Sequence, residues 1–245
     1  MLPSATEKVW DFLRTQPALA GFVLVGRSAL ALRIHHRRSE DLDLAFPETH
    51  LPRVRLEALQ RVAMQAGIDF QRTDDEAALE EFALAGLELY AYQQDFIVDG
   101  SVKVSFFVPA AALAKVLAVS QESGVRVATL DELFKSKCLV SALRSKTRDW
   151  VDLYMLMRGH GFSMRDFLAA FREAGNEDQC DSALSRLCSG LPQRDDEGYA
   201  HLLADPPSLE EMKTFFKTQR DALEIEAAQE ALRKRRAEDS QHGQS

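Results

Sequence analysis

Apolar and polar positions recur along this chain at two different periods, and the changes between them mark out its elements. Ser4 and Glu7 stand at capping-box spacing, and Val9, Phe12 and Leu13 follow as an apolar stripe, so residues 5–15 are predicted to be helical. Apolar runs at 21–25 and 42–46 read as strands, with the segment SALALRI between them as a helix. Leu51 to Gln65 has helical spacing and a stop at Gly67. From Leu87 to Phe107 β-forming residues dominate, and Asp99-Gly100 is the turn dipeptide of a hairpin that would extend a mixed sheet. Thr129 and Glu132 form another capping box and open a helix to about Leu143. Residues 145–147 break it, and a further helix runs to about Arg158 before Gly159 and Gly161. Ser163 with Asp166 starts the next helix. Ser208 with Glu211 opens a long charged one ending near Arg235, whose Leu209, Met212, Phe215 and Phe216 are expected to pack on the body.

Strands and helices alternate first, and helices alone follow. The predicted fold class is therefore α/β (α+β), with a mixed β-sheet in a core at 1–128, a helical region at 129–236 and a disordered tail at 237–245.

Composition narrows the function classes. At 245 residues the chain can bury a substantial core as one large or two small domains. Its 46% hydrophobic and 28% charged residues are those of an ordinary soluble protein, and a net charge of -8 argues against broad, nonspecific coating of nucleic acid. Any RNA contact is expected to be local. Glu7, Asp11 and Arg14 interrupt any signal-peptide pattern and no 18-residue apolar run exists, so the expected setting is the cytoplasm, without membrane contact. Cys138, Cys180 and Cys188 are odd in number and lack C-x-x-C spacing, which suggests reduced, partly buried thiols rather than disulfides or a zinc site.

The chemistry concentrates in residues 22–46, FVLVGRSALALRIHHRRSEDLDLAF. Residues i and i+2 of a strand share a face, so Asp41 and Asp43 would converge as hard oxygen ligands suited to Mg²⁺. Upstream, Gly26 and Ser28 offer close backbone approach and a hydroxyl at a strand-to-helix junction, where free amides and the helix dipole favour a phosphate. Together they read as a metal and nucleotide site.

In these residues the chain resembles the AbiEii/AbiGii toxin family of nucleotidyltransferases, within the DNA polymerase β-like nucleotidyltransferase superfamily. That signature is a glycine followed by Gly, Ser or Thr, then an aspartate pair about a dozen residues on. Lys137, Arg144, Arg148, Asp149 and Asp152 match the downstream K-x6-R-x3-R-D-x2-D-L element, continued by Leu153 and Tyr154. The resemblance covers residues 5–160 and, more loosely, the helical remainder. It implies a nucleotidyltransferase-like core that transfers a nucleotide from an NTP to an acceptor hydroxyl with Mg²⁺. Asp41 and Asp43 would be metal ligands and catalytic, with Lys137 and Asp149 the other catalytic residues. Gly26, Arg27, Ser28, Lys137 and Arg144 would bind nucleotide, Lys137 through an exposed ammonium. Asp149 could orient the lysine, accept the nucleophile's proton or cap its helix. The family further implies an RNA acceptor such as tRNA and a cognate antitoxin partner.

Other residues have blander readings beside functional ones. Arg148 and Asp152, four apart, read as a scaffold ion pair. The run Arg33, His35, His36, Arg37 and Arg38 could meet triphosphate or RNA, or simply be solvated. Two departures from the family pattern matter. Arg27 replaces a common second glycine, where it could crowd the turn or add a phosphate contact. The strand SVKVSFF offers Lys103 and Ser105 where a third carboxylate is expected, and Asp95 or Asp99 could substitute only in another register. The missing carboxylate keeps open a catalytically degenerate nucleotide-binding or protein-interaction module, and a separate alternative is nucleotidylation of a protein side chain.

Overall fold

The computed structural model describes residues 2–35, 38–73, 75–118 and 123–242. The chain divides into two compact units, residues 1–136 and 137–245.

In chain order the first unit contains α1 (Ser4–Leu13), β1 (Val23–Val25), α2 (Gly26–Ile34), β2 (Leu42–Ala45), α3 (Arg53–Gln65) and β3 (Phe70–Arg72). It continues with α4 (Glu76–Leu84), β4 (Gln93–Val98), β5 (Val102–Phe107), α5 (Ala111–Val116), β6 (Arg126–Val127) and the start of α6 (Leu130–Leu143). The six strands make the mixed sheet that the alternating pattern predicted, in the order β3-β4-β5-β2-β1-β6. β1 is antiparallel to β2, β2 parallel to β5, and β5 antiparallel to β4. The β4–β5 turn is built on the expected dipeptide: Asp99 and Gly100 both have positive φ, 47° and 73°, as a turn matching the strands' twist requires.

Burial follows the strand period. Gln94, Phe96 and Val98 of β4 and Val102, Val104 and Phe106 of β5 are buried, while Asp95 and Ser105 between them are only half-buried. Phe22 stacks on Phe46 with centroids 4.7 Å apart and meets Phe106 edge-on at 5.6 Å, which anchors the strands around β2. Arg33, from the basic run, donates to the carbonyls of Val127 and Ala128 at 2.8 and 3.0 Å. It therefore ties α2 to the end of β6 and the residue after it. His35 ends α2 in the left-handed region, Arg38 is exposed, and His36 and Arg37 lie outside the described residues.

Some elements depart from the sequence reading. Ser4 lies inside α1 rather than capping it, because the Glu7 amide already bonds the Pro3 carbonyl at 2.8 Å. The helix α4 has no counterpart in the apolar pattern because it buries none of its residues; Asp75 starts it by accepting from the amides of Ala77 and Ala78. The short strands β3 and β6 are too brief for a period to show.

The second unit holds the rest of α6 and then α7 (Thr147–Gly159), α8 (Met164–Ala174), α9 (Cys180–Ser189) and α10 (Leu209–His242). Ser163 and Asp166 form both halves of the expected capping box. Ser208 accepts from the Glu211 amide at 3.1 Å at the start of α10. As expected, α10 buries Met212 and Phe216, and Phe215 meets Tyr154 of α7 edge-on at 5.0 Å. It runs past Arg235 to His242, through residues assigned from the sequence to a disordered tail; 243–245 lie outside the described residues. Helical propensity in AEDSQH is enough to extend an established helix, since elongation costs far less than nucleation. Cys138, Cys180 and Cys188 are buried thiols. Among the described residues no helix is long and apolar enough to cross a membrane.

The predicted capping box at α6 is present and does more than cap. Glu132 accepts the Thr129 and Ala118 amides at 2.7 Å each and pairs with both terminal nitrogens of Arg126, also at 2.7 Å. Burial pushes its pKa up, but these donors outweigh that and hold it at about 2, against 4.5 ordinarily. A depressed carboxyl pKa stabilises the fold above its unfolded value and loses that contribution as pH falls from about 4.5 towards 2. Glu132→Gln should therefore lower stability by up to about 3 kcal/mol at pH 7, with the gap from wild type closing in acid. Urea unfolding midpoints at pH 7 and near the folded pKa check this.

Candidate active site

The junction of β1 and α2 gathers both candidate aspartates. Val25 is extended, and Gly26 then turns the chain with φ of 69°, a conformation that side chains other than glycine's strain to adopt. The β1–β2 register sets Asp43 opposite Val25. Its carboxylate packs onto the turn so closely that a Cβ on Gly26 would stand 2.6 Å from Asp43 Oδ2. Asp41, one residue before β2, extends its Oδ2 to within 2.6 Å of Arg27 Nη2. Consecutive residues of one turn, Gly26 and Arg27, thus each carry one aspartate of the pair.

Ser28 behaves differently from its expected role as an open phosphate ligand. It is fully buried, donates its hydroxyl to the Asp41 carbonyl and shares a 2.9 Å hydrogen bond with Ser39 Oγ. It clamps the segment entering β2, and Ser39, unremarked in the sequence, is its partner. No local pattern marks Ser39, because the bond spans eleven positions.

The place of the third carboxylate follows from register. Asp43 pairs with Ser105 of β5, and Ser105 with Asp95 of β4, so the three share one face of the sheet. Ser105 stands beside Asp43 as the hairpin pattern predicted. Asp95 is one strand farther; its Oδ2 accepts from Gln93 at 2.7 Å, and its buried Oδ1 has no hydrogen-bond partner among the described residues. Asp99 instead occupies the turn, bonded to Lys8 and the Asp69 amide. Among the described residues no three His, Cys, Asp or Glu side chains stand together as a metal-holding group.

The downstream motif forms a charged cluster in the second unit. Lys137 is buried at 6% exposure, with Nζ 2.6 Å from Asp149 and 2.7 Å from Asp152. Arg144 Nε donates to the other Asp149 oxygen at 2.8 Å. Lys137 and Arg144, seven positions apart on α6, therefore share one face as expected, with Asp149 in the first turn of α7 between them. Burial would lower the Lys137 pKa and raise that of Asp149, but the facing charges prevail and shift each the opposite way, so both are ionised. Two expectations fail here. The Lys137 ammonium is not an exposed tip, and Arg148 turns from Asp152 to the Gly198 carbonyl, 2.9 Å away, with Glu197 at 3.8 Å. Asp149 and Asp152, three apart on α7, form one face toward the lysine, a spacing visible in the sequence.

Comparison with known proteins matches the family described as "Nucleotidyl transferase AbiEii toxin, Type IV TA system" over residues 11–241. The chain belongs to the AbiEii nucleotidyltransferase toxin family. Two crystal structures from Helicobacter pylori resemble this AbiEii protein in fold. JHP933 has a TM-score of 0.50 at 19% identity, covering 95% of this chain and 100% of its own. A putative nucleotidyltransferase has a TM-score of 0.50 at 20% identity, covering 90% and 96%. No curated protein sequence matches.

The donor set of this AbiEii protein fits a hard divalent cation. Mg²⁺ is commonly held by one or two carboxylates, with water and substrate phosphates completing its coordination. Asp41 and Asp43 are such a pair, and the cradle left by the absent Gly26 Cβ admits the second of them.

Gly26→Ala should cost about 1–2 kcal/mol of backbone strain and displace the Asp43 carboxylate, which a variant crystal structure and a thermal melt would read. Lys137→Ala should cost about 3–5 kcal/mol, because it removes the buried cation between two buried carboxylates and leaves Asp149 with Arg144, and Lys137→Arg much less. Urea denaturation of both variants checks the difference. An unchanged midpoint for Lys137→Ala would contradict the buried cluster.

Proposed function

We propose that the protein transfers a nucleotide from an NTP to an acceptor hydroxyl with Mg²⁺, the acceptor being an RNA such as tRNA and a cognate antitoxin being the partner that restrains it. The observation carrying this reading is the meeting of Asp41 and Asp43 on the Gly26-Arg27 turn, within a chain of the AbiEii family. Bound there, the ion would neutralise triphosphate charge and polarise the reacting phosphate.

The chain's own residues supply the rest. Asp41 and Asp43 present the carboxylates, and Gly26 keeps the turn open for them. Ser28 holds the Asp41 backbone in place from inside the fold. Arg27 faces the nucleotide. The acceptor oxygen forms a bond to the α-phosphorus, the bond from that phosphorus to the β-phosphate oxygen breaks, and pyrophosphate leaves while the hydroxyl proton passes to a carboxylate. The downstream motif, to which the family resemblance assigns nucleotide binding and catalysis, is in this fold a buried ion cluster of Lys137, Arg144, Asp149 and Asp152 within the second unit.

A second reading, a nucleotide-binding module with little turnover, is favoured by one observation. The neutral Ser105 hydroxyl occupies the register position next to Asp43, and it cannot replace a carboxylate's charge at a second metal. Incubation with each α-labelled NTP and total RNA distinguishes the readings. Labelled RNA that disappears in Asp41→Ala is the expected result, with slow turnover. Label on the protein itself would favour a side-chain acceptor, and nucleotide binding without label would favour the module. Ser105→Asp should tighten Mn²⁺ binding, as read by titration.

A further inference from the structure

Of the three residues at the turn, Gly26 has no side chain and the Ser28 hydroxyl is buried and committed to Ser39 and the Asp41 carbonyl. Arg27 is the side chain of the turn that reaches solvent, at 31% exposure. Among the described residues its hydrogen bond goes to Asp41, through one nitrogen to Oδ2. That oxygen belongs to a proposed metal ligand, and a carboxylate oxygen 2.6 Å from a guanidinium cannot bind a divalent cation without breaking or reshaping the pair.

We infer that Arg27 exchanges partners: it neutralises Asp41 in the free protein and passes to the triphosphate when a divalent metal takes that carboxylate. The charges favour the exchange. In the free protein the guanidinium offsets the Asp41 charge, which would otherwise oppose approach of a polyanion. Metal at Asp41 removes the reason for the pair, and the released guanidinium, at the start of α2, is left beside free helix amides where phosphate oxygens are stabilised. Its planar fork suits phosphate oxygens as well as carboxylate. Metal and nucleotide therefore bind with positive coupling: each releases a group that the other uses. The arginine does not crowd the turn; it makes the site depend on both ligands arriving together.

This inference rests on the nucleotidyltransferase reading of the site, and the two can be tested apart. Mn²⁺ binding to the full chain is followed by the electron paramagnetic resonance signal of the free ion, without nucleotide and then with each of the four NTPs. Arg27→Gln should bind Mn²⁺ alone about fivefold more tightly than wild type, since a partly exposed ion pair no longer competes. It should bind NTP with Mn²⁺ roughly tenfold or more weakly, since a charge-assisted phosphate contact is lost. Arg27→Lys should fall between the two, and Asp41→Asn should lose Mn²⁺ binding in either background. Unchanged or weakened Mn²⁺ binding by Arg27→Gln would overturn the exchange, as would unchanged NTP binding, while wild-type nucleotide binding left the functional reading standing. Wild-type protein that bound no NTP with any metal would overturn the functional reading and the exchange with it.

Discussion

A carboxylate lying on a glycine is the contact on which the candidate site depends. β2 can deliver Asp43 to the start of α2 only because Gly26 has no Cβ to occupy the 2.6 Å between them. The positive φ of the same residue makes the sharp exit from β1 into α2. Ser28 then holds the Asp41 carbonyl from the buried side, so the segment preceding β2 is fixed in place. The site is thus a by-product of how a strand, a turn and a returning antiparallel strand pack.

The second motif follows the opposite logic. Its lysine is drawn inward, between two carboxylates on α7, and Arg144 completes a group of alternating charge. Such a cluster is tolerated in a helical core only when each charge has its counterpart, because the solvation lost on burial must be replaced by close partners. The same residues that read as a functional motif are therefore also what keeps α6 and α7 in register. The dual demand explains why a surface-charge view of Lys137 misjudges its effect on stability.

The Arg27 and Ser105 departures act on the same balance of charge. Ser105 removes a negative charge from the row Asp43, Ser105, Asp95, and Arg27 adds a positive one beside Asp41. Both changes lower the local excess of carboxylate that would attract a metal in the absence of nucleotide. On the proposed function, a site so arranged would lean on the triphosphate for much of its cation affinity.

How much of this was legible in the chain divides along a physical line. The capping boxes at Thr129 and Ser163, the Asp99-Gly100 turn, the order of strands and helices in residues 20–50 and the spacing of both motifs depend on groups a few positions apart, whose geometry a regular backbone fixes in advance. The family resemblance added what those motifs are for. The sequence could not tell whether Ser28 faces ligand or core, whether Arg27 crowds the turn or reaches a carboxylate, or which of Arg148 and Lys137 Asp152 would serve. Each of those depends on a partner brought close by sheet register or helix packing, and a shift of one residue in a strand reverses the face of every side chain it carries, so only the tertiary structure could decide them.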